Sequence, residues 1–225
     1  MFDILLQVDS TGLTNSKAAG LQSTWDILIK GGVLMIPLAL FLAVAIFFFI
    51  ERLIAIRKAS KIDDNFMSII RDHILSGNVT AARSLSKNTD NPVARMIDKG
   101  IMRIGKPIEA IEKSMDNIGQ LEMYKMEKNL SILSIISRIA PLFGFLGTIV
   151  GMLTLFKEIA VKGEPTFSTI ADGIYIKMIT SATGLIIGIL AYLGYSFLST
   201  QINKTANKMD AAEAEFIDIL QEPTN

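Results

Sequence analysis

Three long runs without a charged residue dominate the pattern of hydrophobic and polar positions along the chain. They cover residues 31–50, 139–156 and 178–203, and they are 20, 18 and 26 residues long. A helix of about 20 apolar residues crosses the roughly 30 Å hydrocarbon core of a bilayer. The pattern therefore predicts three transmembrane helices, because a soluble chain of 225 residues could hardly bury three such segments on every side.

The region between the first two runs has the periodicity of short helices. Apolar residues recur at helix spacing at Phe66, Ile70 and Ile74, and Gly77 ends that helix. Asn78 is a residue type that caps helix N-termini, so we expect a second short helix to begin there.

Prolines mark the later helix starts in this region. Asn91-Pro92 opens another helix, and Pro107 precedes an apolar stripe, since the first helical turn tolerates proline. No further proline occurs before Pro141, so we expect one long helix from there into the second run. Strand-like alternation is nearly absent. The chain is therefore predicted to be an all-α membrane protein with three transmembrane helices and a large helical region between the first two.

The distribution of charged residues predicts which side of the membrane each segment lies on. The chain has 22 basic and 22 acidic residues, but residues 51–138 hold 15 of the basic and 11 of the acidic ones. A basic cluster follows the first run directly, at Arg52, Arg57, Lys58 and Lys61. By the positive-inside rule this region is cytoplasmic, which places the N-terminus outside and the C-terminus inside. The N-terminus lacks the basic start and apolar core of a signal peptide.

The predicted organisation follows from the runs and the charges together. In chain order it comprises a periplasmic N-terminal segment (1–28), a first transmembrane helix (29–50), a cytoplasmic helical region (51–129), a long helix that enters the membrane as the second transmembrane helix (130–156), a periplasmic loop (157–177), a third transmembrane helix (178–203) and a cytoplasmic tail (204–225).

Composition excludes several classes of function. The chain has no cysteine and one histidine, so disulfides, thiolate or multi-histidine metal sites and a cysteine nucleophile are excluded. Zero net charge argues against a nucleic-acid-binding protein. The apolar runs contain no acid–base pair or nucleophile constellation, so we predict neither an enzyme nor a bound cofactor or metal.

Small and hydroxyl residues lie at helix spacing in the second and third runs. They are Gly144, Gly147, Thr148 and Gly151 in the second run, and Ser181, Gly184 and Gly188, flanked by Thr180 and Thr183, in the third. Two interpretations fit this spacing. The glycines let helix backbones approach closely, or the two hydroxyl-bearing faces line a narrow polar path.

No run carries a charged residue at its centre. A charged side chain there would cost roughly 2.5–3.5 kcal/mol on insertion scales, yet a proton-conducting protein normally needs a group that titrates. If this chain conducts protons, the titrating carboxylate must come from a partner subunit with its own transmembrane helix.

Several stretches form a recognisable pattern. The most specific is APLFGFLGTIVGM at 140–152; others are WDILIKGGVLMIP at 25–37, ERL at 51–53, SGN at 76–78, NPVARMI at 91–97, ADGI at 171–174 and TSATGL at 180–185. In these stretches the chain resembles the MotA/TolQ/ExbB proton-channel family, and the ExbB/TolQ branch most closely. Together the resemblance covers roughly residues 25–200.

The resemblance implies a complex in the bacterial inner membrane. Copies of the chain would form a homopentamer, embedded in membrane lipid, around a dimer of a single-span partner of the ExbD/TolR kind. The partner's aspartate would take up and release protons. Proton flow would drive motion that reaches a periplasm-spanning protein of the TonB or TolA kind.

The resemblance transfers to few individual residues. Thr148 matches the family's threonine in the second span, and Ser181 lies where the family usually has a pore threonine. ExbB/TolQ relatives often carry a glutamate at the position of Ile176, and Lys177 follows it here. Two roles for Lys177 stay open: it anchors the helix at the outer interface by snorkelling, or it tunes the field at the pore mouth.

Alternatives within and outside this family remain. The sequence does not choose among TonB-linked uptake, Tol-type envelope maintenance and a motility motor stator. A membrane scaffold without conduction is a more distant alternative.

Overall fold

The computed structural model describes residues 33–60, 63, 65–163 and 167–222. Its helices are α1 (Met35–Ala59), α2 (Phe66–Leu75), α3 (Val79–Asn88), α4 (Pro92–Ile101), α5 (Ile108–Glu127), α6 (Leu130–Lys162) and α7 (Phe167–Gln221). No strand occurs within the described ranges, which confirms the all-α prediction. The predicted periplasmic segment 1–28 lies outside the described residues.

Within the described residues, three helices, α1, α6 and α7, are long and apolar enough to cross a membrane, as predicted. The 55 residues of α7 make it about 80 Å long, more than twice the hydrocarbon thickness. Only part of α7 therefore needs to lie in lipid. Charged residues resume at Lys204, so the uncharged part of α7 ends well before the helix ends at Gln221.

Both α6 and α7 extend beyond the uncharged runs of the sequence. Within the stretch predicted as the 157–177 loop, α6 continues to Lys162 and α7 begins at Phe167. The predicted 204–225 tail is helical as far as Gln221. A helix can continue past the hydrocarbon because its charged side chains are then solvated, so hydropathy alone underestimates its length.

The short helices begin and end where the sequence predicts. Gly77, with φ 75°, follows α2 in the left-handed conformation that glycine adopts without steric cost. The Asn78 side chain accepts a hydrogen bond from the backbone N–H of Ala81 at the start of α3. Asn91 does the same for Val93 at the start of α4. These caps satisfy backbone donors that the first helical turn leaves unpaired.

The predicted uninterrupted helix from Pro107 into the second span is wrong. The chain breaks between α5 and α6, where Asn129 adopts a φ of 65°. Asn129 also lies within hydrogen-bonding distance of Glu51, at 3.5 Å between Nδ2 and Oε2. Asparagine is among the few non-glycine residues that enter the left-handed region, and no proline or glycine marks the break.

The described chain forms two compact units, each with parts of α1, α6 and α7. The first contains residues up to Ala43 and Ser137–Ile189, and the second contains Val44–Ile136 and Leu190–Asn225.

The second unit has a hydrophobic core built on the packing of α4 against α5 and the end of α7. Phe216, Met115 and Ile97 are fully buried. A Cβ atom added to Gly100 would lie 2.5 Å from Met115 Sδ and 2.7 Å from a ring carbon of Phe216, so a larger residue there would displace these buried side chains. Burial of each large side chain stabilises the unit by about 1.5–3 kcal/mol.

Candidate functional site

The small residues of α6 and α7 face each other in the first unit. A Cβ atom added to Gly184 would lie 2.6 Å from the backbone oxygen of Ala140 and 2.8 Å from Gly144 Cα. One added to Gly144 would lie 3.0 Å from the Ser181 backbone oxygen. The two backbones are therefore in direct contact, which only small residues permit.

Four further contacts continue this antiparallel seam in a regular register. Added Cβ atoms on Gly147, Gly188 and Gly173 would lie 2.6 Å from Thr180 Cγ2, 2.5 Å from Pro141 Cγ and 2.8 Å from Leu155 Cδ1. One on Gly151 would meet the aliphatic chain of Lys177. The seam thus extends from Leu155 and Gly173 at one end to Pro141 and Gly188 at the other.

The hydroxyl groups of the seam region differ in exposure. Thr180 is 1% exposed and packs on Gly147. Thr148, Ser181 and Thr183 are half-buried. Thr148 donates to the Phe145 carbonyl at 2.6 Å, and Thr183 donates to the Ile179 carbonyl at 2.9 Å. Each of these two oxygens keeps its lone pairs as acceptors for water or for a partner's polar group.

Thr148 also lines a shallow apolar groove on the surface of α6. The groove has a volume of about 250 Å³, and its other lining residues are Ile149, Met152, Leu153 and Phe156. Ile149, Leu153 and Phe156 are well exposed. The Thr148 hydroxyl is thus the polar group of an otherwise apolar, outward-facing groove.

Lys177 lies at the seam rather than extending away from both helices. Its methylene groups cover Gly151, and the side chain is half-buried. Among the residues that the structure describes, no carboxylate forms an ion pair with it.

The uncharged runs contribute no acid or base to the seam. In the parts of the chain that the structure describes, no group of three metal-ligating side chains occurs. The seam can therefore offer hydroxyl and backbone groups to a proton path, while the uncharged runs hold no carboxylate or imidazole that would titrate.

The second unit contains an ion-pair network around Glu122, which is 3% exposed. Its carboxylate accepts hydrogen bonds from Arg95 at 2.6 Å and from Lys125 at 2.7 Å. Burial acts to raise the pKa of Glu122, but these two cations outweigh it and hold the pKa below its usual range. Arg95 also pairs with Asp90, which pairs with Lys58 of α1.

An acidic cleft lies between α5 and the end of α7 in the same unit. It has a volume of about 790 Å³ and is lined by Glu109, Glu112, Lys113, Asp116, Asp210, Glu213, Ala214, Ile217 and Asp218. Among the described residues, Glu213 Oε1 is buried without a hydrogen-bond partner. Burial, together with the negative charges of Asp116, Glu112 and Asp210, raises the pKa of Glu213 to about 7.

Three of these features were not predicted from the sequence. They are the position of Thr180 within the α6–α7 contact, Glu122 as a buried ion-pair centre, and Glu213 as part of an acidic cleft. Glu122 carries a signal, because Lys125 lies one helical turn after it. Neither of the other two has a comparable local signal.

Comparison with known proteins identifies the family of this chain. Residues 88–211 match the model of the MotA/TolQ/ExbB proton channel family. That match covers more than half of the chain, which therefore belongs to this family. The family consists of proton channels and not of enzymes.

Individual relatives lie in the ExbB and TolQ branch. The chain is 26% identical to a putative biopolymer transport protein ExbB homolog of Methanothermobacter thermautotrophicus, over 80% of this chain and 64% of the relative. It is 35% identical to biopolymer transport protein exbB1 of Vibrio cholerae, over 40% of each chain. It is 27% identical to Tol-Pal system protein TolQ of Pseudomonas aeruginosa, over 50% of this chain and 49% of the relative. Each match spans less than two thirds of the relative.

Proposed function

We propose that this chain is the proton-channel subunit of an energy-transducing complex in a bacterial inner membrane. Membership of the proton channel family and three apolar helices support this function. The complex would be a homopentamer around a dimer of an ExbD/TolR-like single-span partner. Proton flow would move the partner, and the motion would pass to a TonB- or TolA-like periplasm-spanning protein. One charge crossing 100 mV releases about 2.3 kcal/mol, which is available for this work.

The observation that carries the proposal is the pairing of two hydroxyl-bearing uncharged runs that contain no carboxylate or imidazole of their own. Such runs can form the wall of a proton path but have no acid that binds and releases the proton. The carboxylate must then come from the partner's helix.

Thr148 and Ser181 are the residues of this wall that we assign to the partner-facing side. Both are half-buried in the single chain, and Thr148 lies in an outward-facing apolar groove where a partner helix can pack. Thr183 contributes a further acceptor oxygen. Thr180 is buried on Gly147, so its role is to pack α6 against α7 together with the five glycines of the predicted packing set.

The branch assignment is TonB-linked uptake. The Vibrio relative, which bears the biopolymer transport name, is more similar in sequence than the Pseudomonas TolQ protein. Tol-type envelope maintenance is the second candidate, favoured by the TolQ similarity over half of the chain. Co-purification of the partner from the source cells separates these branches, since the partner is of the ExbD kind in one and of the TolR kind in the other.

Proton flux in liposomes tests the channel itself. We expect a pH-sensitive dye to report robust flux when the chain is reconstituted with its single-span partner and little flux without it. A non-conducting scaffold would give no flux in either preparation, and robust flux from the chain alone would contradict the assignment of the carboxylate to the partner.

A double variant tests the wall residues. Thr148→Val with Ser181→Ala should assemble normally and lose most of the partner-dependent flux, because both hydroxyl oxygens are removed. The matched control is Thr154→Val with Ser196→Ala, which removes two exposed hydroxyls from the same helices. Full flux in the first double variant would refute the assignment.

The orientation has its own test. We propose that the N-terminus is periplasmic and that residues 51–129 and the C-terminal segment are cytoplasmic, on the basis of the basic cluster after the first span. Because the chain has no native cysteine, a single cysteine introduced at Ser84 should react with a membrane-impermeant thiol reagent only after the cells are broken. Labelling of this cysteine in intact cells would show that the topology is the reverse of the one proposed.

A further inference from the structure

A groove lies between α1 and α7 in the second unit, near the point where both helices change from apolar to polar. Its volume is about 350 Å³. The apolar wall comprises Leu53 and Ile56 of α1 with Phe197 and Leu198 of α7. Phe197 is 46% exposed, so this wall is open to the surroundings.

The polar end of the groove is formed by Arg57, Ser60 and Gln201. Along α1 the lining changes from Leu53 to Arg57 one turn later, and along α7 it changes from Phe197 to Gln201 one turn later. The two helices therefore present the same order, apolar first and polar second, to a molecule that lies along the groove.

This change lies within two helical turns of the predicted membrane boundary. The first uncharged run ends at Ile50 and the third ends at Asn203. Phe49 lies against Gly194, where its ring carbon would be 3.0 Å from an added Cβ atom, so these parts of α1 and α7 lie side by side. The groove thus begins beside the end of the lipid-facing stretch of α1 and reaches the polar region with Arg57.

The charge in the groove favours an anion. Arg57 is exposed, and among the described residues no carboxylate pairs with it or lines the groove. Its neighbour Lys58, in contrast, is 2.8 Å from Asp90. Lys204 adds a second exposed cation one turn beyond Gln201 on α7.

We propose that this groove binds an anionic phospholipid, with the phosphate on the Arg57 guanidinium and an acyl chain along Leu53, Ile56 and Phe197. A guanidinium donates two parallel hydrogen bonds to a phosphate, and the Ser60 hydroxyl and Gln201 amide supply further donors. Basic residues directly beside a transmembrane helix attract anionic lipids of the cytoplasmic leaflet. The site is separate from the α6–α7 seam and does not depend on proton conduction.

Native mass spectrometry of the purified chain tests the site. The protein is released from nanodiscs that contain equal amounts of phosphatidylglycerol and phosphatidylcholine with identical acyl chains. We expect wild-type protein to retain phosphatidylglycerol preferentially. Arg57→Gln should weaken that preference by about tenfold, as loss of a charge-assisted hydrogen bond predicts. Arg103→Gln, an exposed arginine elsewhere in the same unit, is the control with the same change of charge and should retain the preference.

Further measurements separate the lipid from other occupants. Phe197→Ala should lower retention of both lipids without changing their ratio, because it shortens only the apolar wall. Excess inorganic phosphate should not displace the lipid. Displacement would contradict the proposal, because the groove would then bind a free anion as well as a phospholipid. An unchanged lipid preference in Arg57→Gln overturns the proposal. The proposal would also be overturned if Arg57→Gln changed the oligomeric state and the protein retained no lipid. That result would indicate that a second copy of the chain occupies the groove.

Discussion

Glu213→Gln removes the charge of a half-buried carboxylate in the acidic cleft, and we expect it to stabilise the protein in a pH-dependent way. Burial, with the charges of Asp116, Glu112 and Asp210, raises the pKa of Glu213 from 4.5 to about 7. Between these values the folded state holds a proton that the unfolded state has released. Stability conferred by Glu213 is therefore fully present below about pH 4.5, falls as the pH rises, and is lost above about pH 7.

The magnitude follows from the size of the shift. A shift from 4.5 to about 7 corresponds to at most about 3.4 kcal/mol, at 1.36 kcal/mol for each pKa unit. The cleft is open to solvent, which screens part of the repulsion, so we expect about 1–2 kcal/mol. For a chain of this size that corresponds to a rise of roughly 2–8 °C in Tm.

Thermal unfolding of the detergent-solubilised protein, followed by circular dichroism from about pH 4.5 to about pH 8.5, measures this effect. Glu213→Gln should exceed wild type in Tm at the alkaline end and match it at the acidic end. Glu215→Gln changes an exposed carboxylate two residues away and is the matched control, for which we expect no such pH-dependent difference. A constant gain across the pH range, or the same pH-dependent gain in the control, would refute the reasoning.

Three further substitutions test the packing of the two units. Gly184→Leu places side-chain atoms against the Gly144 backbone and should cost about 3 kcal/mol, the upper end for overpacking. This cost should be seen as lost assembly in size-exclusion chromatography, whereas Ala182→Leu, at an exposed position, should assemble normally. Glu122→Ala should lower the unfolding free energy of the second unit by about 1–3 kcal/mol, measured by denaturant titration; an unchanged midpoint would mean that its ion pairs contribute nothing. Phe216→Ala leaves a cavity in a fully buried site and should cost about 3–5 kcal/mol in the same titration; a loss below about 1 kcal/mol would show that the core collapses around it.

Most helices of this fold could be predicted because their signals are local. A cap such as Asn78 or Asn91 acts on the backbone two or three residues away, and an uncharged run defines a span by itself. The break at Asn129 has only a weak local signal, since asparagine tolerates the left-handed region but also occurs inside helices. The contacts around it come from far along the chain. Glu51 lies near the Asn129 side chain, and Arg52 donates to the Lys125 carbonyl at 3.3 Å.

The candidate site could be predicted only as a set of residue types. Spacing indicated which positions of the second and third runs are small or carry a hydroxyl. The register between α6 and α7 decides what each position meets, and a single sequence does not contain that register. Thr180 consequently lies buried on Gly147, and Lys177 covers Gly151 instead of extending away from both helices.

The glycine seam has a mechanical consequence. Backbone contact between Gly144 and Gly184 leaves no side-chain layer between α6 and α7 at that crossing. A slide of one helix along the other by one residue would drive neighbouring side chains into the opposing backbone, so the contact resists sliding. A joint tilt or rotation of the two helices therefore costs less than a shift of one helix past the other.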